Sequence, residues 1–164
     1  MVISSLNNEI EKLYDEYSDL LYRLALTHSS NAEDASDAVH DVFLKYASSP
    51  KLFFDEEHRK AWFIRVTINR CLDLHRKNKV RSYSPLDEAY DIPSEENGIS
   101  RGLKEMLDSL PENYRSVLVL HYLEGFSVEE TAKLLKLSES AVKMRLNRAR
   151  EYVKSSYNKE DFYG

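Results

Sequence analysis

Residues 125–150 read GFSVEETAKLLKLSESAVKMRLNRAR. Two helical patterns meet in this stretch across a short break at Lys136, Leu137 and Ser138. Ser127 and Glu130 have the spacing of a capping box, which opens the first helix, and Ser138 is placed to cap the second. Beyond Ser138, Val142, Leu146, Ala149 and Val153 recur at i, i+4, i+7 and i+11, so they form one buried stripe. The residues left facing outward include Glu139, Ser140, Lys143, Arg145, Asn147, Arg148 and Arg150. A short helix, a tight turn and a basic helix make a helix-turn-helix, whose second helix enters the DNA major groove. Residues early in that helix reach base edges, which selects Ser140 and Lys143. The later arginines, Arg145, Arg148 and Arg150, suit phosphates, which fix register without reading sequence. The plainer reading is a surface helix whose cationic end suits its dipole. The capped helix and tight turn ahead of it weigh against that.

The rest of the chain is also helical in pattern. Gly and Pro number four each in 164 residues, and charged residues make up 31%. Scarce turn residues and long periodic segments predict an all-α fold. Ile3, Leu6, Ile10, Leu13, Tyr17, Leu20, Leu21, Leu24 and Ala25 mark a first helix over 3–28. Ser30 and Glu33 match a second capping box. It predicts a helix starting at Ser30, with Ala35, Ala38, Val39, Val42, Phe43 and Tyr46 inward and Pro50 at its end. Residues 51–58 read as a loop, and a third helix is expected from about Lys60 to Lys77. Residues 79–100 change character: prolines, serines and five acids without a period read as a flexible acidic linker. Leu103, Met106, Leu107 and Leu110 then suggest a short helix. Pro111 suits the first turn of the next one, which carries Val117, Leu118, Leu120 and Tyr122 and stops at Gly125. Two small helical domains follow, 1–78 and 101–164, joined by 79–100.

Net charge is −5, an unpromising total for a polyanion binder, but it is unevenly spread. Residues 1–58 hold four Lys/Arg against twelve Asp/Glu, residues 59–81 eight against one, and residues 136–154 six against two. Local patches, not totals, decide where nucleic acid docks. The first basic patch lies in AWFIRVTINRCLDLHRKNKVR, residues 61–81, where Trp62 and Phe63 precede Arg65, Asn69, Arg70, Arg76 and Lys77. Cations beside aromatic faces suit single-stranded or melting DNA, and Asn pairs with base edges. Taken singly, each aromatic is more at home in a core.

Several classes are excluded. The single cysteine, Cys71, cannot form an internal disulfide or a multi-Cys zinc site, and beside Arg70 it is better read as a small buried hydrophobe than as a redox sensor. The five histidines lack metal spacing and no Gly-rich phosphate loop is present, so no enzyme, cofactor or small-molecule substrate is expected. No apolar stretch approaches the ~18 residues of a membrane span. With an acidic N-terminus lacking a signal-peptide pattern, a soluble cytoplasmic protein without direct membrane insertion is expected.

In this order, the segments resemble the extracytoplasmic-function type of bacterial sigma factor. DAVHDVFLKY, residues 37–46, is similar to the helix that binds core RNA polymerase. Residues 61–81 are similar to the part that melts and reads the −10 promoter element, and residues 107–150 to the domain that reads the −35 element. The resemblance covers residues 10–153. It implies that Asp37, His40, Asp41 and Phe43 face the polymerase clamp helices. It implies that the loop 53–60 and Asn69 form a pocket for a flipped non-template base, that Trp62 supports that helix or the upstream edge of the bubble, and that Arg65, Arg70, Arg76 and Lys77 hold phosphates. Ser138, Ser140, Lys143, Arg145 and Arg148 would sit at the −35 major groove. Besides core polymerase and promoter DNA, it implies an anti-sigma factor as partner, which no residue here identifies.

The chain also departs from that pattern. Lys136 stands where glycine is frequent in the turn, so it must bear a left-handed backbone or alter the turn. Ser140–Ala141 stands where Gly-Thr or Gly-Ser often opens the reading helix, and the loop at 54–58 is more acidic than expected near DNA. Two other readings stay open on the residues alone. One is a dimeric helix-turn-helix regulator that binds duplex DNA without polymerase. The other is an interaction module folding around another helical protein.

Overall fold

In the computed structural model the described residues are 2–48, 53, 55–81 and 99–157, and among them there is no strand. The helices are α1 (Val2–His28), α2 (Ala32–Ser48), α3 (Glu56–Arg81), α4 (Arg101–Ser109), α5 (Glu112–Leu118), α6 (Val128–Leu135) and α7 (Glu139–Tyr157); α5 runs on into a π turn at Val119–Leu123. The chain forms two compact units, Met1–Ser100 and Arg101–Gly164.

In the first unit α1, α2 and α3 pack pairwise on one another. Leu13, Tyr17, Leu21 and Leu24 of α1 meet Ala35, Ala38, Val42 and Tyr46 of α2 and Ile64, Ile68 and Cys71 of α3, all buried. Phe63 sits at the hub, fully buried, with Tyr17, Phe43 and Tyr46 at ring distances of 5.2, 5.3 and 5.5 Å. Rings at such separations add attraction beyond the apolar area that they bury.

Three expected boundaries move, and at two of them a different cap sets the helix start. Asn31, not Ser30, caps α2: its Oδ1 accepts the Asp34 N–H at 2.7 Å, while the Ser30 hydroxyl lies 3.1 Å from His75 Nδ1. The helix therefore starts at Ala32 and ends at Ser48; Pro50 lies outside the described residues. The third helix begins at Glu56 rather than Lys60, because Asp55 Oδ1 accepts the His58 N–H at 2.8 Å. Residues 56–58 of the expected 51–58 loop are thereby helical, as are residues 56–60 of the expected 53–60 base pocket. The helix also runs through the expected boundary at 78 to Arg81. Residues 82–98 of the expected linker lie outside the described residues.

Tyr46 ties the unit together. Its hydroxyl donates to Glu9 Oε1 at 2.8 Å. Burial, then the bond to Glu9, pushes its pKa up from 10.0 to about 12. The folded state holds this proton more tightly than the unfolded chain, so the stability it contributes is complete below pH 10 and is lost as pH rises toward 12. We expect the unfolding free energy from urea titrations to fall between those pH values by about 1.4 kcal/mol per unit at most. Tyr46→Phe should flatten that fall, and an unchanged slope in the variant would assign it to other groups.

The second unit is built on Val117, Ala132, Val142 and Leu146, with Val128, Leu135 and Leu137 packed against them. Pro111 is the N-cap residue of α5, one place ahead of the expected first turn, so its missing N–H again leaves nothing unpaired. Arg115 turns back on the α4 end and donates through Nη2 to the carbonyls of Leu110 at 3.0 Å and Asp108 at 3.4 Å. Gly125, at φ +78, ends the π turn, and the Phe126 N–H then reaches the Leu120 carbonyl at 3.0 Å.

Candidate nucleic-acid interface

The reading helix α7 is set up by two fully formed caps. Ser127 Oγ accepts the Glu130 N–H at 3.0 Å, and Glu130 Oε1 accepts the Ser127 N–H at 3.1 Å, so the box predicted for α6 is present. Ser138 Oγ accepts the Ala141 N–H at 3.1 Å and opens α7. His121 Nδ1 lies 2.8 Å from the Phe126 carbonyl, where it can only donate, and this fastens the approach to α6. Between α6 and α7, Lys136 takes φ 56, ψ 47, and the Leu137 N–H closes back on the Ala132 carbonyl at 2.9 Å. A left-handed non-glycine backbone costs about 1–2 kcal/mol, partly offset by the larger unfolded-state freedom of glycine. Lys136→Gly should therefore stabilise the C-terminal unit by about 0.5–1 kcal/mol in urea denaturation; a loss of stability would mean that the lysine side chain holds the turn.

Val142, Leu146 and Ala149 face the core, as the stripe predicts, whereas Val153, its last member, is only half-buried. Ser138, Ser140, Lys143 and Arg148 are exposed, and Arg145 is half-buried at the edge of the outward face. Two outward residues escaped the periodic reading. Met144 is 48% exposed, one helical turn beyond Ser140. Tyr122, in the π turn at Val119–Leu123, is 51% exposed. There it accepts a 2.6 Å hydrogen bond from Arg150 Nε, whose guanidinium also lies 5.4 Å from the ring centroid; Arg150 Nη1 donates to Asn147 Oδ1 at 2.7 Å. Arg150 is thus held in one orientation on the outward face.

In the first unit, the outward face of α3 carries Arg65, Asn69, Arg76 and Lys77, of which Arg65 is half-buried and the others exposed. Burial pulls the Arg65 pKa below the usual arginine value. Asn69 lines a cleft of about 460 Å³ between α2 and α3, with Asp41, Lys45, Arg70 and Asp73 among its walls. Arg70 Nε donates to Asp41 Oδ2 at 2.8 Å, so one residue expected at DNA and one expected at polymerase are joined within a single ion pair.

Two expected contact residues are core residues instead. Trp62 is 9% exposed and packs among Tyr46, Phe53 and Phe63 at 6.0, 6.0 and 5.0 Å. Phe63 is fully buried and Trp62 nearly so, which leaves neither ring an open face. Phe43, at 6% exposure, packs against Tyr14 and Phe63 at 5.0 and 5.3 Å and does not project outward. The outward face of α2 carries Asp37 and His40, both exposed, half-buried Asp41, and Leu44 at 54% exposure. Leu44 and half-exposed Tyr14 border a shallow groove between α1 and α2 that also includes Ile10, His40 and Ala47. Cys71 is buried. Among the described residues no group of His, Cys, Asp and Glu could hold a metal ion, and no helix is long and apolar enough to cross a membrane.

Residues 13–81 match the family model for sigma-70 region 2, and residues 100–153 match that for sigma-70, region 4. The class defined by a helical region 2 followed by a helix-turn-helix region 4 is the non-enzymatic transcription-initiation factor. The chain is 32% identical over 144 residues to the RNA polymerase sigma factor SigV of Bacillus subtilis, covering 85% of this chain and 86% of SigV. It is 30% identical over 142 residues to the ECF RNA polymerase sigma factor SigM of Mycobacterium tuberculosis, covering 85% and 72%. Among solved structures it is similar to CnrH in complex with the cytosolic domain of CnrY, with a TM-score of 0.70 at 25% identity over 94% of this chain and 90% of that one. The fold also matches the sigma factor RpoE of Bartonella quintana, solved with the anti-sigma factor NepR: TM-score 0.67, 20% identity, 93% and 98% covered. The chain belongs to the extracytoplasmic-function group of the sigma-70 family of RNA polymerase sigma factors.

Proposed function

We propose that this protein is a dissociable promoter-specificity subunit acting in the cytoplasm. It binds core RNA polymerase through the outward face of α2, with Asp37, His40, Asp41 and Leu44 at the contact. It holds the opened −10 element along α3, with Arg65, Arg70, Arg76 and Lys77 on phosphates and Asn69 on a base taken from the stack. It reads the −35 element with the first half of α7, using Ser138, Ser140, Lys143, Arg145 and Arg148. Residues 79–100 tether the two reading domains, so each raises the effective concentration of the other at a promoter and neither needs to bind tightly alone. Capture of one flipped base offsets an unstacking cost of a few kcal/mol and so traps the open state. The subunit performs no bond chemistry of its own. An anti-sigma factor is a further expected partner.

The observation that carries this reading is the pair of basic outward helix faces, one in each unit, in the chain order of regions 2 and 4. Duplex-binding regulation without polymerase leaves the α3 face unused. The test is run-off transcription with purified core polymerase on DNA from upstream of the protein's own gene. A discrete start site is expected, together with co-elution of the chain with core polymerase on gel filtration. Failure to bind core, with no transcript, would sink the proposal. If about six phosphates are neutralised, promoter affinity should also fall roughly a thousandfold between about 50 and 200 mM salt.

A further inference from the structure

An exposed methionine on a DNA-reading helix invites a specific question. Single exposed apolar side chains are ordinary on protein surfaces, so position must decide. Met144 is 48% exposed on α7, opposite the Val142–Leu146–Ala149 stripe and one turn beyond Ser140. This is the half of the helix that reaches base edges. Its outward neighbours Ser140, Lys143, Asn147 and Arg148 are all polar or cationic.

The hydrogen bonds of the same face narrow what each neighbour can read. Adenine recognition by asparagine uses the amide oxygen and nitrogen together. The Asn147 oxygen is already taken by Arg150 Nη1 at 2.7 Å, and Arg150 is in turn held on Tyr122. The Asn147 oxygen therefore orients Arg150, and bidentate adenine reading would have to break or share that bond. Ser140 and Lys143 supply hydrogen bonds, lysine being suited to the guanine acceptors. Apart from hydrogen-bond donors and acceptors, the major-groove edge displays one apolar mark, the thymine C5-methyl.

We infer that Met144 is a specificity-determining residue of the reading helix, recognising a thymine in the −35 element by packing its flexible thioether chain on the C5-methyl group. This rests on the assignment of α7 to the −35 major groove. The flexible, unbranched side chain adapts to a methyl group whose exact position depends on local DNA shape. Burying one methyl group is worth about fourfold in affinity (~0.8 kcal/mol).

The test uses holoenzyme, the full chain with core polymerase, and duplexes selected by it from a pool randomised across the −35 position. Each thymine of the selected sequence is then replaced singly by deoxyuridine, which removes only the methyl group. One replacement is expected to weaken wild-type binding about fourfold. Met144→Ala should weaken binding to the thymine duplex by a similar factor and show no further response to that replacement; Met144→Leu should restore the response. Because Met144 lies outside the core, its variants should keep the wild-type thermal midpoint. Deoxyuridine without effect at every position, or an undiminished effect in Met144→Ala, would overturn the role of Met144 while leaving the reading helix in place. A pool from which holoenzyme enriches no −35 sequence at all would instead overturn the assignment of α7, and this inference with it.

Discussion

Leu146→Ala should make promoter recognition temperature-sensitive while leaving polymerase binding intact. Leu146 is 2% exposed and shares its small core with Val117, Ala132 and Val142. A Leu→Ala change in such a site loses the transferred methyl groups and leaves a cavity, costing about 3 kcal/mol. A unit of this size holds roughly 5 kcal/mol in total, so the remainder is thin. Each kcal/mol moves the midpoint of a small domain by about 4–8 °C, so the C-terminal unit should melt about 12–24 °C lower. The protein carries its own control. Its single tryptophan, Trp62, is buried among Tyr46, Phe53 and Phe63 in the first unit. Tryptophan fluorescence therefore follows that unit alone, whereas far-ultraviolet circular dichroism follows both. The expected result is a lowered dichroism transition beside an unchanged fluorescence transition, with run-off transcription lost at 37 °C and regained on cooling. If both signals shift together, the two units unfold as one and the independent cores described above are the wrong account.

The parts of this molecule that were legible in sequence are those fixed by local spacing. The α7 stripe and the Ser127–Glu130 box depend on neighbours within one or two turns, and both stand as read. At Lys136 the sequence left two outcomes, a left-handed backbone or an altered turn, and the left-handed one is found. Start sites were less secure because several polar residues compete for each cap. Ser30 and Asn31 both qualify, and the long-range bond from Ser30 to His75 decides between them. For the aromatic residues the resemblance pointed outward and the rings themselves inward: Trp62 and Phe43 both pack on Phe63 in the core. The Asp41–Arg70 pair joins residues 29 apart, and the spacing of each on its own helix says nothing of the other. The π turn that carries Tyr122 is announced by no 3.6-residue period. Met144 was hidden by arithmetic, since a hydrophobic residue off the stripe leaves no periodic signal.

Asn69→Ala should slow transcription from ordinary duplex about 10- to 100-fold and from a pre-opened template far less. The range follows from losing one bidentate side chain–base pair, worth about 1–3 kcal/mol. Asn69 is exposed at the edge of the α2–α3 cleft, so truncating it removes no core contact and should leave the folded unit unchanged. Its proposed contribution is tied to one event. On duplex DNA the captured base must first leave its stack, and the amide helps to offset that cost. A template carrying a mismatched bubble over the −10 element has already met the cost, so the same truncation should matter only through binding. Arg70→Ala supplies the contrast. Its guanidinium, oriented by Asp41 at 2.8 Å, is proposed to hold a phosphate, a contact made to open and closed templates alike. That variant should weaken both templates to a similar extent and lower the salt dependence by about one phosphate, a change of roughly 0.7 in the logarithmic slope for single strands. The two variants thus separate capture of a base from grip on the backbone, which adjacent residues of one helix would otherwise confound. Equal losses on both templates for Asn69→Ala would assign Asn69 to general grip and remove base capture from the α3 face.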